Sequence, residues 1–89
     1  MRAVVTVVGK DMVGILHKVS GICANNNVNI VEVSQSILQD MFCMIMLTDI
    51  SKCDLPLTEL ADMMNALGEE QGLSIHLMHE DIFNSMHRI

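Results

Sequence analysis

The segment Val7-Val8-Gly9-Lys10-Asp11-Met12-Val13-Gly14-Ile15-Leu16 places two glycines around an acidic residue in a G-x-D-x-x-G spacing. Glycine lets a backbone turn sharply and lets another group come close to it. A helix that begins just after such a turn points its unpaired first-turn N–H groups, and its positive dipole end, at the loop. A carboxylate or phosphate held there gains about 0.3–1 kcal/mol from the dipole, and more when partly buried. Asp11, unless spent on capping the helix, can take an ammonium. One loop therefore offers both halves of an amino-acid clamp. The competing reading of the same residues is local turn chemistry.

The other reactive side chains do not assemble so readily. His76 and His79 are three apart near the end of an extended run, with His87 in the tail and His17 in a helical stretch. Successive strand residues alternate between faces, so 76 and 79 point apart, whereas a metal site needs three or four converging ligands. They read as surface or interface histidines, and neither a metal nor a cofactor is expected. Cys43 or Cys53 acting as a nucleophile would need a neighbouring base and an oxyanion site, and no such cluster is visible. Acylphosphatase-type chemistry needs an arginine in the first loop, which has none. The chain is expected not to be an enzyme. The nine methionines read first as core filler, with Met12, Met44 and Met46 as candidates for a pliable contact surface.

The elements that must position the glycine loop follow from periodicity. Arg2–Val8 is rich in β-branched residues with no helical period and predicts a buried strand. Asp11 is the expected N-cap of a first helix, whose apolar positions are Ile15, Leu16, Val19, Ile22 and Cys23. Asn25-Asn26-Asn27 ends it, since Asn tolerates the left-handed conformation of a helix end. Val28–Leu38 and Met41–Ile50 predict two strands joined through Gln39-Asp40. Asp54 and Pro56 signal the start of a second helix, Leu57, Leu60, Ala61, Met64 and Leu67 form its apolar stripe, and Gly72 stops it. Leu73–Met78 alternates as a fourth strand. The order β-α-β-β-α-β is that of a ferredoxin-like sandwich: an α+β fold with an antiparallel four-stranded sheet and two helices on one face. Ser34-Gln35-Ser36 suits an edge strand.

Residues 80–89 carry Ile82, Phe83, Met86 and Ile89 at helical spacing, which predicts a short amphipathic C-terminal helix. The run 41–50 is apolar on both faces, and such a strand is expected to be covered on both. The tail, from the same chain or a partner, is therefore expected to cover part of the sheet's open face; the alternative is a frayed terminus. Residues 1–79 form one domain, and 80–89 are a tail of that domain.

Composition narrows the function classes. Half of the 89 residues are apolar (51%), a large share for so small a core, and a second subunit would cover the excess. The net charge of −6, five scattered basic residues and only two aromatics, Phe42 and Phe83, speak against direct nucleic-acid binding, which needs clustered cations and stacking rings. The three cysteines lack CxxC spacing and suit reduced thiols in the cytoplasm. The apolar start Ala3–Val8 is too short to span a membrane.

G-K-D-M-V-G-I-L after a valine-rich strand, followed by N-V-N-I-V-E-V-S-Q, resembles an ACT domain. With the ending H-E-D-I-F-N-S-M-H-R-I, the whole chain resembles stand-alone ACT proteins akin to the glycine cleavage repressor. The resemblance implies a homodimer that binds an amino acid or other small effector where subunits meet. Its contacts would come from Gly9, Lys10, Asp11, Met12, Val13 and Gly14 of one chain, and from the amide of Asn29 of the same chain or its neighbour. Val13 stands where many effector-binding loops carry proline, a departure that bears on loop rigidity. The expected function is a regulatory module acting through another protein; the alternative is an adaptor of the same fold that binds no effector.

Overall fold

The computed structural model describes residues 1–10 and 14–86. Its valine-rich first strand, β1 (Arg2–Gly9), lies in the interior of the sheet, and Ala3, Val5 and Val7 are fully buried. After it come α1 (Ile15–Asn25), β2 (Asn29–Leu38), β3 (Met41–Asp49), α2 (Leu57–Gln71), β4 (Ser74–His79) and α3 (Glu80–Met86). The sheet order is β2-β3-β1-β4, and every neighbouring pair is antiparallel. This is the expected ferredoxin-like β-α-β-β-α-β fold, with β2 as an edge strand.

One face of the sheet and two helices enclose the core. Val5 pairs with Met46 and Val7 with Met44 across β1 and β3, and Ile75 follows on β4. Ile15, Val19 and Cys23 of α1 and Leu60 and Met64 of α2 close over them. Thr48 is the buried polar residue of this layer, and its hydroxyl donates to the Ala3 carbonyl at 2.9 Å. That bond removes the cost of burying an unpaired hydroxyl. At Gly68, a Cβ would lie 2.8 Å from the Leu73 carbonyl oxygen. The absence of a side chain there lets α2 sit directly on the backbone entering β4.

Several boundaries depart from expectation for local reasons. The N-cap of α1 is Gly14 at φ 74°, with no side-chain cap, so it is not Asp11, whose side chain lies outside the described residues. The chain reaches the helix through a left-handed residue, a conformation that glycine adopts at little cost. Leu16 is 43% exposed, because only the narrow i, i+4, i+8 stripe of α1 meets the sheet. Pro56 occupies the N-cap position of α2, whereas Asp54 accepts from the Asn27 amide at 3.0 Å. The other end signals act as read: Asn26 caps α1, Asn27 takes φ 59°, Gln39 takes φ 57° in the hairpin turn, and Gly72 ends α2 at φ 70°.

The tail forms α3, which packs on β1 and β4 of its own chain. Its first residue, Glu80, accepts from two nitrogens of the Arg2 guanidinium, Nε donating to Oε1 at 3.2 Å and Nη2 to Oε2. Half-buried Phe83 turns to the sheet, while His87, Arg88 and Ile89 lie outside the described residues. Coverage of the open face is partial. Ile45 of β3 remains 40% exposed, so the strand that is apolar on both faces is sealed on one only.

Two glycine substitutions should move stability in opposite directions, read as urea unfolding free energy. Gly68→Ala should cost about 1–3 kcal/mol through the clash with the Leu73 carbonyl. Gly21→Ala, with nothing within 4 Å of the added Cβ, should gain about 0.5–1 kcal/mol from helix propensity.

Candidate functional site

The antiparallel ladder sets where the expected site residues stand. Arg2 of β1 is level with Asp49 of β3, which is level with Asn29 of β2; Gly9 is level with Phe42 and Ile37 at the other end. Seven residue steps separate the two ends, about 23 Å at a strand rise near 3.3 Å. The glycine loop and Asn29 therefore do not meet within one chain.

At the loop end, Gly9 is buried at the end of β1, and a Cβ there would fall 1.9 Å from Cδ2 of Leu73. Lys10 is exposed, and Asp11, Met12 and Val13 lie outside the described residues. Gly14 turns the chain into α1, its carbonyl accepting from Lys18 N–H at 3.1 Å. The first-turn amides of α1 have no acceptor within the helix. A cavity of about 460 Å³ borders this end, lined by Gly9, Lys10, Met41, Gly72, Leu73 and Ser74 among others. Sequence reasoning found Gly9 and Lys10 but not the α2–β4 turn, which joins them only through the crossover.

At the other end, Asn29 lines a cavity of about 290 Å³ together with Asn27, Asp49, Ser51 and Lys52. Both the Ser51 hydroxyl, at 2.6 Å, and the Ser51 backbone N–H, at 2.9 Å, donate to Asp49 Oδ1. These bonds, the hydroxyl's first, hold the Asp49 carboxyl below the usual carboxylate range, with the Met1 ammonium and Arg2 adding to the effect. The Met1 ammonium donates to Ser51 Oγ at 3.0 Å. The sequence reading missed Asp49, Ser51 and Lys52. Their D-I-S-K run reads as a strand-end loop, and only the sheet places it beside Asn29.

A third recess, about 340 Å³, lies on the open face between α3 and the sheet and is lined largely by apolar groups, including Val8, Ile45, Phe83 and Met86. His76 lines it too, with its Nε2 3.0 Å from Ser74 Oγ, while His79 pairs across from Ala3 on the other face. Among the described residues, no three His, Cys, Asp or Glu side chains converge to hold a metal. Burial pushes the Cys23 thiol up, and nearby Cys53 adds to this, so its thiolate is disfavoured. All three cysteines are free thiols. No helix among the described residues is long and apolar enough to cross a membrane.

Residues 2–78 match the family model of the ACT domain, a type of regulatory ligand-binding module, and the chain belongs to that family. A UPF0237 protein of Clostridium perfringens is 54% identical over 89 residues, the whole length of both chains. The ACT domain protein from Streptococcus pneumoniae superposes with a TM-score of 0.81 at 35% identity, covering 93% of each chain. A protein assigned as a glycine cleavage system transcriptional repressor shares the fold, with a TM-score of 0.75 at 18% identity over 85% of this chain and 44% of that one.

Asp49 gives this region a pH signature. Its folded-state pKa is depressed, so the stability it contributes is present at neutral pH and is lost as pH falls through the folded value. Carboxyl NMR titration should place Asp49 below the ordinary aspartate value, and Ser51→Ala should move it upward. Asp49→Asn should shallow the acid limb of the stability profile.

Proposed function

We propose that this protein is a non-catalytic regulatory homodimer that binds an amino acid between its two copies. The observation that carries this reading is the separation of the glycine loop from Asn29. A site using both needs a second copy turned end for end. Antiparallel joining of two β2 edges supplies that arrangement, because it sets the start of one β2 beside the end of the other. Symmetric two-fold pairing is also the commonest way for such chains to associate.

The edge itself supports the pairing. β2 is ten residues long, bonded on one side only, and exposes Val31 (49%), Val33 (38%) and Ile37 (74%). A long apolar edge invites a further strand unless something guards it. With the edges joined, the first-turn amides of α1 from one copy and the Asn29 amide of the other come to the same end of a continuous sheet. Effector would act by favouring one arrangement of the dimer, which a regulated partner protein then reads. The setting is the cytoplasm, in keeping with three free thiols.

Two measurements test this reading. Sedimentation should give a dimer, and Val33→Lys with Ile37→Lys should give a folded monomer. A thermal-shift screen of free amino acids at millimolar concentration should show stabilisation by one of them, lost in Gly14→Ala and in Asn29→Ala, each compared with its own unliganded baseline. A dimer with a flat screen would leave an interaction adaptor of the same fold, and a wild-type monomer would remove the composite site.

A further inference from the structure

We propose that the recess formed by Asn27, Asn29, Asp49, Ser51 and Lys52 is a clamp for the main chain of a free α-amino acid, in which Asp49 takes the ammonium and Lys52, with the Asn29 amide, takes the carboxylate. The inference rests on the reading that the domain binds an amino acid. It assigns recognition of both ligand charges to side chains at the Asn29 end, where the partner copy's glycine loop would add main-chain donors.

The argument comes from which charges at this end are already used. Arg2 is engaged by Glu80, Asp54 by the Asn27 amide, and the Met1 ammonium by Ser51 Oγ. Asp49 spends only Oδ1, and both bonds to it come from Ser51. Its Oδ2 has no hydrogen-bond partner among the described residues. Lys52 and the Asn29 side chain likewise have none among those residues. Asp49 and Lys52 are only three apart in the chain, yet they form no ion pair. Ser51 instead engages the Asp49 carboxylate, and both Asp49 and Lys52 line the recess.

Chemistry and size agree with the assignment. The two Ser51 donors to Oδ1 keep Asp49 ionised, as an ammonium partner requires. A lysine ammonium and a primary amide are both donors suited to a carboxylate. The recess holds about 290 Å³, space for roughly ten water-sized groups at about 30 Å³ each. That space accommodates an α-amino acid with a short side chain. Three chain segments meet here: the α1–β2 turn, the start of β2, and the end of β3 with the loop beyond it. Ligand bound among them would tie the free edge of β2 to the sheet's interior.

Isothermal titration of the full chain with each free α-amino acid, and then with the N-acetyl and carboxamide derivatives of any that bind, tests the assignment. Asp49→Asn and Lys52→Met should each weaken binding at least about tenfold, as expected for losing a charge-assisted bond. Neither derivative should bind. Native circular dichroism and a cooperative melt in the absence of ligand will show that the variants are folded. Retained binding in both variants, with loss in Gly14→Ala, overturns this clamp and leaves the loop-based function standing. Loss in Asp49→Asn and Lys52→Met, with retention in Gly14→Ala, supports the clamp and removes the loop from the site. Binding of either blocked derivative as tightly as the free amino acid overturns it, as does a panel in which no amino acid binds, an outcome that ends the broader reading as well.

Discussion

A strand, a helix running back and a second strand parallel to the first must leave the exit of one strand and the entry of the other at opposite ends of a sheet. In this chain β3 fills the gap between β1 and β2 and locks that offset through two continuous antiparallel ladders. Gly9 and Asn29 are thereby held about 23 Å apart by strand geometry. No side-chain adjustment closes such a distance. Each end therefore has its own recess, and a function needing both ends needs two molecules.

The two-layer core follows from the same ladders. Because β1 is interior, its alternate residues face different surroundings: Val5 and Val7 meet α1 and α2, while Val4, 3% exposed, lies on the face that α3 partly covers. Gly68 and Gly9 show how close the layers come. At the first, a helix rests on the β4 backbone, and at the second, Leu73 occupies the space a side chain would take. One segment, 68–73, thus sets both the helix packing and the shape of the loop-end cavity. The third helix adds a half layer, fixed at its start by the Arg2–Glu80 ion pair. Exposed surface pairs of this kind contribute little to stability, so Phe83 against the sheet is the stronger anchor. What α3 leaves bare is the β3 side of the open face.

Charge is present at both ends. Asp49, Lys52, Asp54, Arg2 and Glu80 stand near the strand termini at the Asn29 end, and the exposed Lys10, Lys18 and Asp40 stand at the loop end. A ligand at the Asn29 end meets side-chain charge, and one at the loop end meets the main-chain donors of the first turn of α1 as well. These two kinds of recognition differ in how they respond to salt, since free charges are screened and short amide bonds much less so.

Most of the element order was legible in the residues. Valine runs, the Asn25-Asn26-Asn27 stop, the Gln39-Asp40 turn, Gly72 and the tail's helical spacing are local signals, because each depends on φ preferences or on periodicity within a few residues. What escaped were relations between segments far apart in the chain. Leu16 belongs to an apolar pattern, yet the helix axis turns it to solvent; Asp11 is a fitting cap residue, yet Gly14 takes the cap position. Asp49, Ser51 and Lys52 carry no spacing that announces a site, and only the register of β3 against β2 sets them beside Asn29. Sequence alone carried the elements, since these are short-range properties of the chain. Which residues share a recess, and how far apart the two halves of the expected site lie, was decided by strand pairing, a long-range property that no local pattern encodes.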